Sequence, residues 1–276
     1  PADEDFGIVF KRTDLDKNNF IKVSPENIDT SKYCSKLKNK YGVCVSTVEH
    51  LLATLHSFDI NNVLIEINST ELPAMDGSSY EFSRKLIEVG LHNQKKPKKV
   101  LKILKKVSIK DGLRSIKVFP SDQLSFSIKI NFSNNFIGKD HYIYNHSTQN
   151  FIDEICYART FCVSQDVVKL RAAGFGLGGN LNNAIVVEDN KILNDSGLRC
   201  NKEFVKHKIL DCVGDFYMSG LPLLGSVHAR QPGHELNNRL LKKIFENEDN
   251  YKIIELNPYY LSISHQKNIL NNINVA

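Results

Sequence analysis

Six side chains in this sequence have the chemistry of a hydrolytic metal site, and three of them recur at a helical interval. His207, Asp211 and Asp215 are spaced every four residues within 201–220, which lines them up on one face of a helix. An imidazole and a carboxylate one turn apart can hold a metal ion. The same spacing also describes an ordinary i,i+4 His–Asp pair on a solvated face. His50 offers a third ligand, and water would take the position that a catalytic zinc keeps open. Glu49, beside it, is of the type that takes a proton from such a water. His234 lies in Gln231-Pro232-Gly233-His234-Glu235, after an expected strand and before an expected helix, the kind of loop on which an acid catalyst is mounted. No H-E-x-x-H occurs, so a thermolysin-like protease is unsupported.

These residues need two helices to position them. The first covers 201–220, with Asn201 as N-cap, Glu203 in the first turn where the helix dipole favours negative charge, and Gly220-Leu221-Pro222 as the stop. Phe204, Val205, Leu210, Val213, Phe216 and Tyr217 can turn into a core. Gly214 costs about 1 kcal/mol in a helix interior, so its place beside the reactive stripe predicts a close approach to the backbone. The second helix opens at Ser46-Thr47-Val48-Glu49, which has the capping-box pattern, and buries Val48, Leu51, Leu52 and Leu55. The box leaves Glu49 with two readings, cap or base. His50 falls in the first turn, where the dipole disfavours an imidazolium and suits a neutral ligand.

Around these helices the chain alternates strand and helix patterns. Strands are expected at 7–12, 20–23 and 63–67, a turn at 75–78, and a helix at 80–89 closed by Gly90. The polar, proline-containing stretch 92–97 reads as a linker. Beyond it come strands at 100–109, 113–119 and 124–132, with a turn at Asp111-Gly112, then helix, strand, helix and strand at 150–157, 159–163, 165–172 and 184–187. After the 201–220 helix follow a strand at 225–229 and a helix at 235–245. This order predicts an α+β fold of two similar domains, 1–94 and 98–276, each a sheet layered against helices. Gly174-Phe175-Gly176-Leu177-Gly178-Gly179 matches G-x-G-x-x-G formally, but a helix precedes it and a strand follows, the reverse of a dinucleotide site.

Composition sets the class. The chain has 276 residues, 41% of them hydrophobic and 24% charged, which suits a globular protein with a substantial core. No apolar run reaches the roughly 18 residues of a membrane span, and the first residues show no secretory signal. Six cysteines without C-x-x-C spacing read as reduced thiols in a cytoplasm. The formal charge is +5, with lysines crowded at 95–106. A solvated strand edge or linker accounts for them, and no nucleic-acid-binding signature accompanies them.

Six segments then carry a family resemblance. V-S-T-V-E-H-L-L-A-T-L (45–55), E-L-P-A-M-D-G-S-S (71–79), A-R-T-F (158–161), L-G-G-N-L-N-N-A (177–184), H-K-I-L-D-C-V-G-D (207–215) and G-H-E-L-N-N (233–238) occur together and in order. The chain resembles the UDP-3-O-acyl-N-acetylglucosamine deacetylases, the zinc amidases of lipid A synthesis, over nearly its whole length. The resemblance implies zinc held by His50, His207 and Asp211, with Glu49 as general base and His234 as general acid. It implies that Asp215 orients His234 or stabilises its charged form and that the Thr160 hydroxyl faces the tetrahedral oxyanion. Lys208 would reach the substrate's diphosphate region and Phe161 would pack against the sugar-nucleotide. The site would lie between the two domains, and 161–179 would correspond to an insert that forms an apolar acyl-chain passage. The reaction implied is hydrolysis of the 2-acetamido group of UDP-3-O-acyl-N-acetylglucosamine to the free amine and acetate. A cytoplasmic monomer is expected, with no nucleic-acid partner, no transmembrane segment and transient contact with a membrane surface.

The sequence also departs from that family. A further strand-forming segment with a G-V-G-L-H-type turn does not precede Pro1, Cys162 and Val163 follow T-F where glycine and an aromatic are usual, and Gln231 replaces a lysine. A rival reading is a homologue that binds the nucleotide sugar or a protein partner without turnover. Against it, Glu49, His50, Thr160, His207, Asp211, Asp215 and His234 are all in place.

Overall fold

The computed structural model describes residues 1–31, 33–172 and 176–256, the side chains of 168–170 excepted. In chain order it begins with β1 (Ile8–Arg12), β2 (Phe20–Lys22), β3 (Ile28–Asp29), β4 (Lys36–Lys38), β5 (Cys44–Ser46), α1 (Glu49–Ser57), β6 (Val63–Ile67) and α2 (Tyr80–Val89). It continues with β7 (Lys98–Ile103), β8 (Val107–Asp111), β9 (Arg114–Phe119), β10 (Ser125–Asn131), β11 (Lys139–Asn145) and α3 (Thr148–Asn150), which runs on as a π-turn over Phe151–Ile155. Last come β12 (Phe161–Val163), α4 (Ser164–Ala172), β13 (Ile185–Glu188), β14 (Lys191–Ile192), α5 (Glu203–Tyr217), β15 (Leu223–Leu224), β16 (Ser226–Arg230), α6 (His234–Phe245) and β17 (Tyr251–Leu256). The fold is α+β.

The largest sheet has five strands in the order β11-β10-β16-β9-β8 and mixes parallel with antiparallel pairs. Strict alternation gives it one apolar face. Ile116, Val118, Phe126, Ile128 and Val227 are buried there, against α5 and α6. Two three-stranded sheets, β2-β1-β6 and β3-β4-β5, are built before residue 94, and two others, β12-β13-β14 and β15-β7-β17, after residue 98.

Helix α5 is the centre of the packing. Thirteen of its 15 residues are buried, polar ones included, so it is covered on every side rather than along one stripe. Its closest neighbour is α1, and Gly214 is the reason. A Cβ built on Gly214 would lie 2.0 Å from the Glu49 carbonyl oxygen and 2.7 Å from its carbonyl carbon, so the first turn of α1 rests on the bare backbone of α5. The approach expected at Gly214 is this crossing. Gly220 makes a second one. It ends the helix region with φ +75°, and a Cβ there would meet the Val23 carbonyl oxygen at 2.5 Å.

Several local expectations are corrected. Asn201 is not the N-cap of α5; Lys202 occupies that position in the left-handed region with φ 62°, and no side chain caps it. Glu203, the first residue of the helix, instead ties it to Arg159 and Arg199, as described below. Ser46 does not cap α1. It is a strand residue whose amide and hydroxyl both donate to the Thr70 carbonyl, and Thr47 adopts φ 57°, which turns the chain away from capping-box geometry. The single strand expected at 100–109 breaks into β7 and β8, which join different sheets. The helix expected at 150–157 is the α3 turn capped by Ser147 and its π continuation. Strands β3, β4, β5, β11, β14, β15 and β17 are additions to the expected set. Of the glycine run at 174–179, positions 174 and 175 lie outside the described residues; the helix before it and the strand after it are as expected.

The Gly214 crossing has a measurable consequence. Gly214→Ala should lower stability by about 1–3 kcal/mol or more, the range for forcing a methyl into a filled core. Gly178→Ala, where a Cβ meets nothing within 4 Å, should leave thermal unfolding nearly unchanged. Equal melting temperatures for the two variants would refute the close crossing.

Candidate active site

The first turn of α1 brings Glu49 and His50 onto the stripe that His207, Asp211 and Asp215 form along α5. All five are buried. The His50 and His207 rings meet edge to face, centroids 5.2 Å apart. Nε2 of His207 lies 3.3 Å from Asp211 Oδ1 and Nε2 of His50 lies 3.8 Å from the same oxygen. One ligand atom from each of His50, His207 and Asp211 falls within 4.8 Å of the other two.

The bonding around these atoms favours a cation. His207 Nδ1 donates to the Ala158 carbonyl at 3.0 Å, which fixes the tautomer and leaves Nε2 with a lone pair facing Asp211. Burial pushes His207 down to about 3, and burial likewise lowers His50, so both rings are neutral, as metal binding requires. Asp211 Oδ2 accepts from Lys208 Nζ at 2.8 Å, but Oδ1 is buried without a hydrogen-bond partner. Burial raises the Asp211 carboxyl, yet His207, Lys208 and His234 outweigh it and hold the group below the usual carboxylate range. An ionised oxygen buried without a donor is costly. A metal ion between it and two imidazole lone pairs removes that cost, so these residues fit the group.

Next to His50, His207 and Asp211 stand a second carboxyl and a third imidazole, those of Glu49 and His234. Glu49 Oε2 accepts from the Ser35 amide at 3.0 Å, and Oε1 lies 3.8 Å from His234 Nε2. Burial raises the Glu49 carboxyl to about 7; His234 pulls it down, while Asp215 and Asp211 push it up. His234, first residue of α6, turns Nδ1 to Asp215 at 3.1 Å and Nε2 toward Glu49 and Asp211. Burial opposes its charge, but Asp215, Glu49 and Asp211 outweigh that, and it is raised to about 10. A proton can therefore reside on Glu49 or on His234 Nε2, with both atoms facing the metal ligands.

The remaining expected residues sit nearby with different degrees of engagement. Thr160 is fixed by its backbone: its amide donates to the Gly77 carbonyl, and its carbonyl accepts from Ile185, both at 2.8 Å. Phe161, at the start of β12, packs edge to face on Phe204, Phe132 and His207. Lys208 Nζ lies 5.2 Å from the Phe161 ring centroid while holding Asp211, so in this arrangement it serves the metal ligand. Glu203 anchors the region from one turn before His207. It accepts from the Arg159 amide and guanidinium and from the Arg199 amide, at 2.6 to 3.3 Å. That holds Ala158, the acceptor for His207, in place.

Two contributors escape a reading of the sequence. Ser35 is fully buried; besides its amide bond to Glu49, its hydroxyl donates to Asp215 Oδ1 in a short hydrogen bond. Asn237 donates to Asp215 Oδ2 at 2.7 Å. Asn237 lies three residues after His234 on α6 and could have been found from that spacing. Ser35 is 180 residues from Asp215 and gives no local signal.

Buried neutral imidazoles, an unpaired carboxylate oxygen, a base and a charged acid around one space define a metal-dependent hydrolase. The family model for UDP-3-O-acyl N-acetylglycosamine deacetylase (LpxC) matches residues 1–246, and the chain belongs to that family. Similar proteins named UDP-3-O-acyl-N-acetylglucosamine deacetylase include one from a Nitratiruptor species, 42% identical over 255 residues, covering 92% of this chain and 85% of the relative. One from Nautilia profundicola is 44% identical over 248 residues, 90% of this chain and 84% of the relative. One from Neisseria meningitidis serogroup A is 41% identical over 266 residues, 92% of this chain and 84% of the relative.

Two outcomes test the electrostatics. The folded value of His234 lies above the ordinary 6.5, so its charge favours the fold below pH 6.5, and that contribution is lost as pH rises through about 10. Imidazole NMR of the metal-free protein should accordingly show His234 protonated well past pH 7, and Asp215→Asn should lower its midpoint by about 1–3 pH units. A midpoint near 6.5 in the unaltered protein would contradict this geometry. Ser35→Ala should lower kcat by about 10- to 100-fold, in the range of a misplaced catalytic group, and leave metal content intact. Recovery of turnover in Ser35→Thr would tie the loss to the hydroxyl, and unaltered kcat in Ser35→Ala would remove Ser35 from the site.

Proposed function

We propose that this chain hydrolyses the 2-acetamido group of UDP-3-O-acyl-N-acetylglucosamine, giving the free amine and acetate, with one zinc ion held by His50, His207 and Asp211. The observation that carries the reading is the buried, donor-free Oδ1 of Asp211 beside two neutral imidazoles. Two imidazoles and one carboxylate form a donor set that zinc takes in hydrolases. Zinc bound there supplies Lewis-acid polarisation of the amide carbonyl and acidification of water.

The chain's own residues supply the rest. Glu49, oriented by the Ser35 amide, takes the proton from the attacking water. Its carboxyl lies near 7, so it can serve as base at neutral pH. His234 remains charged. With Asp215 on Nδ1, its Nε2 proton faces the space where negative charge develops, stabilises it and then passes to the departing amine. The Thr160 hydroxyl is assigned to the same oxyanion, Phe161 to the sugar-nucleotide, and Lys208 to the diphosphate region.

Further parts of the reading are the division into domains 1–94 and 98–276 and an acyl-chain passage along 161–179, part of which lies outside the described residues. Among the described residues no helix is long and apolar enough to cross a membrane. We place the enzyme in the cytoplasm as a monomer that meets its acylated substrate at a membrane surface.

Metal analysis combined with acetate release from the UDP-sugar tests site and reaction together. His207→Ala should lose the metal. Glu49→Gln should keep metal and fold while kcat drops about 10²- to 10⁴-fold, the usual contribution of a positioned acid or base. Normal metal and near-normal turnover in Glu49→Gln would take the base role from Glu49.

A further inference from the structure

The outward face of the five-stranded sheet carries charge of one sign. Alternation leaves Lys110, Lys117, Lys129, Lys139 and Arg230 exposed on it, one cation on each strand from β8 to β11 and on β16. His228 is exposed among them. No carboxylate holds an outward position on these strands; Asp111 and Asp140 have the opposite parity and pair with Arg239 and Lys202. Register sets like charges against each other, with Lys129 directly opposite Arg230. Directly opposed like charges destabilise a sheet.

Most of the lysines crowded at 95–106, by contrast, have partners. Lys96 and Lys99 pair with Asp5, Lys102 with Asp122 and Lys105 with Asp249. The five face cations have no ion-pair partner among the described residues. A sheet face of one sign, with no counter-charge on it, departs from the mixed-sign surface that favours the folded monomer, and such departures mark sites of function. A polyanion laid on the face would relieve the repulsion.

We infer that this face docks the protein on an anionic lipid bilayer surface. Helices α5 and α6 pack on the opposite side of the sheet, so the charged side is open, and five strands at about 4.8 Å span about 19 Å. That is a broad contact rather than a groove. Strands in an open sheet present no single element to enter a duplex groove. The outward aromatic Phe119 is engaged by Lys106 and His228 and gives no free platform for stacking bases. Ile143, 63% exposed, adds an apolar contact on the same face. The choice of a bilayer rests on the deacetylase reading in one respect: a sugar-nucleotide bearing an acyl chain collects at a lipid–water interface.

Flotation of the intact protein with vesicles tests the inference. Phosphatidylcholine vesicles containing phosphatidylglycerol should carry the protein up at low salt, phosphatidylcholine alone should not, and raised salt should release it. Each cation near an anionic surface adds about fivefold to partitioning, so Lys117→Ser, Lys129→Ser and Lys139→Ser together should weaken binding about 100-fold. Turnover of a short-acyl substrate in solution should not change in that variant. No flotation with the anionic vesicles, or equal flotation of the variant, would overturn the proposal, and so would tighter binding to duplex DNA or RNA than to vesicles. Acetate release is measured without vesicles, so loss of the deacetylase reading would be seen separately from loss of membrane docking.

Discussion

The contact on which the site depends is backbone against backbone. Glycine at 214 lets the carbonyl of Glu49 rest where any other residue would put a Cβ. Gly214 lies between Asp211 and Asp215, so the crossing point of α1 and α5 is also the middle of the reactive stripe. Glu49 and His50 are thereby delivered at a depth and angle that side-chain packing alone would leave adjustable. Gly220, six residues further on and just past the end of α5, is closed on Val23 in the same way. One close approach within the helix and one just beyond its end resist both sliding and rotation of the N-terminal segment. Positioning to a fraction of an ångström is what acid–base catalysis and a three-ligand metal site both require.

Hydrogen bonding divides the buried carboxylates of this region by task. Glu203 collects donors from Arg159 and Arg199, and Asp215 collects them from Ser35, His234 and Asn237. Neither has capacity left for a ligand, and each holds a neighbour in place: Ala158 behind His207 in one case, the imidazole of His234 in the other. Asp211 has one oxygen held by Lys208 and one with no donor. Glu49 has one oxygen held by the Ser35 amide and one facing His234. Asp211 and Glu49 are thus each restrained through one oxygen and open at the other. The positioning carboxylates are restrained through both.

Part of this was legible in the sequence because it repeats locally. The four-residue interval from His207 to Asp215 and the misplaced Gly214 are patterns within one element, and the structure keeps both, while α5 ends at Tyr217, three residues before Gly220. The capping box failed because residue types alone do not fix a cap. Ser46 fits the pattern, but strand pairing takes its donors to Thr70, Thr47 turns into the left-handed region, and the Glu49 side chain reaches Ser35 instead. Asn201 failed similarly, since the chain enters α5 through Lys202 in the left-handed region with no side-chain cap. Ser35 was invisible because its partners are 14 and 180 residues away. Strand β11 was missed because Asp140 stands on its inward side and Ile143 on its outward side, which breaks the alternation around Tyr142 and Tyr144.

Charge shows the same limit of local reading. The lysines crowded at 95–106 are the obvious cationic feature of the sequence, yet Asp5, Asp59, Asp122 and Asp249 neutralise most of them. Those aspartates come from four distant segments, so no window of sequence reveals the compensation. The cations of the sheet face are the converse case. Lys110, Lys117, Lys129, Lys139 and Arg230 lie seven or more residues apart in sequence, too dispersed to register as a cluster. Alternation selects which side each faces, and register brings Lys129 against Arg230 across 101 residues of chain. Surface potential is set by where counter-charges are absent, and that is a property of sheet pairing rather than of composition. A net charge of +5 can therefore be distributed as one neutralised run and one unopposed face.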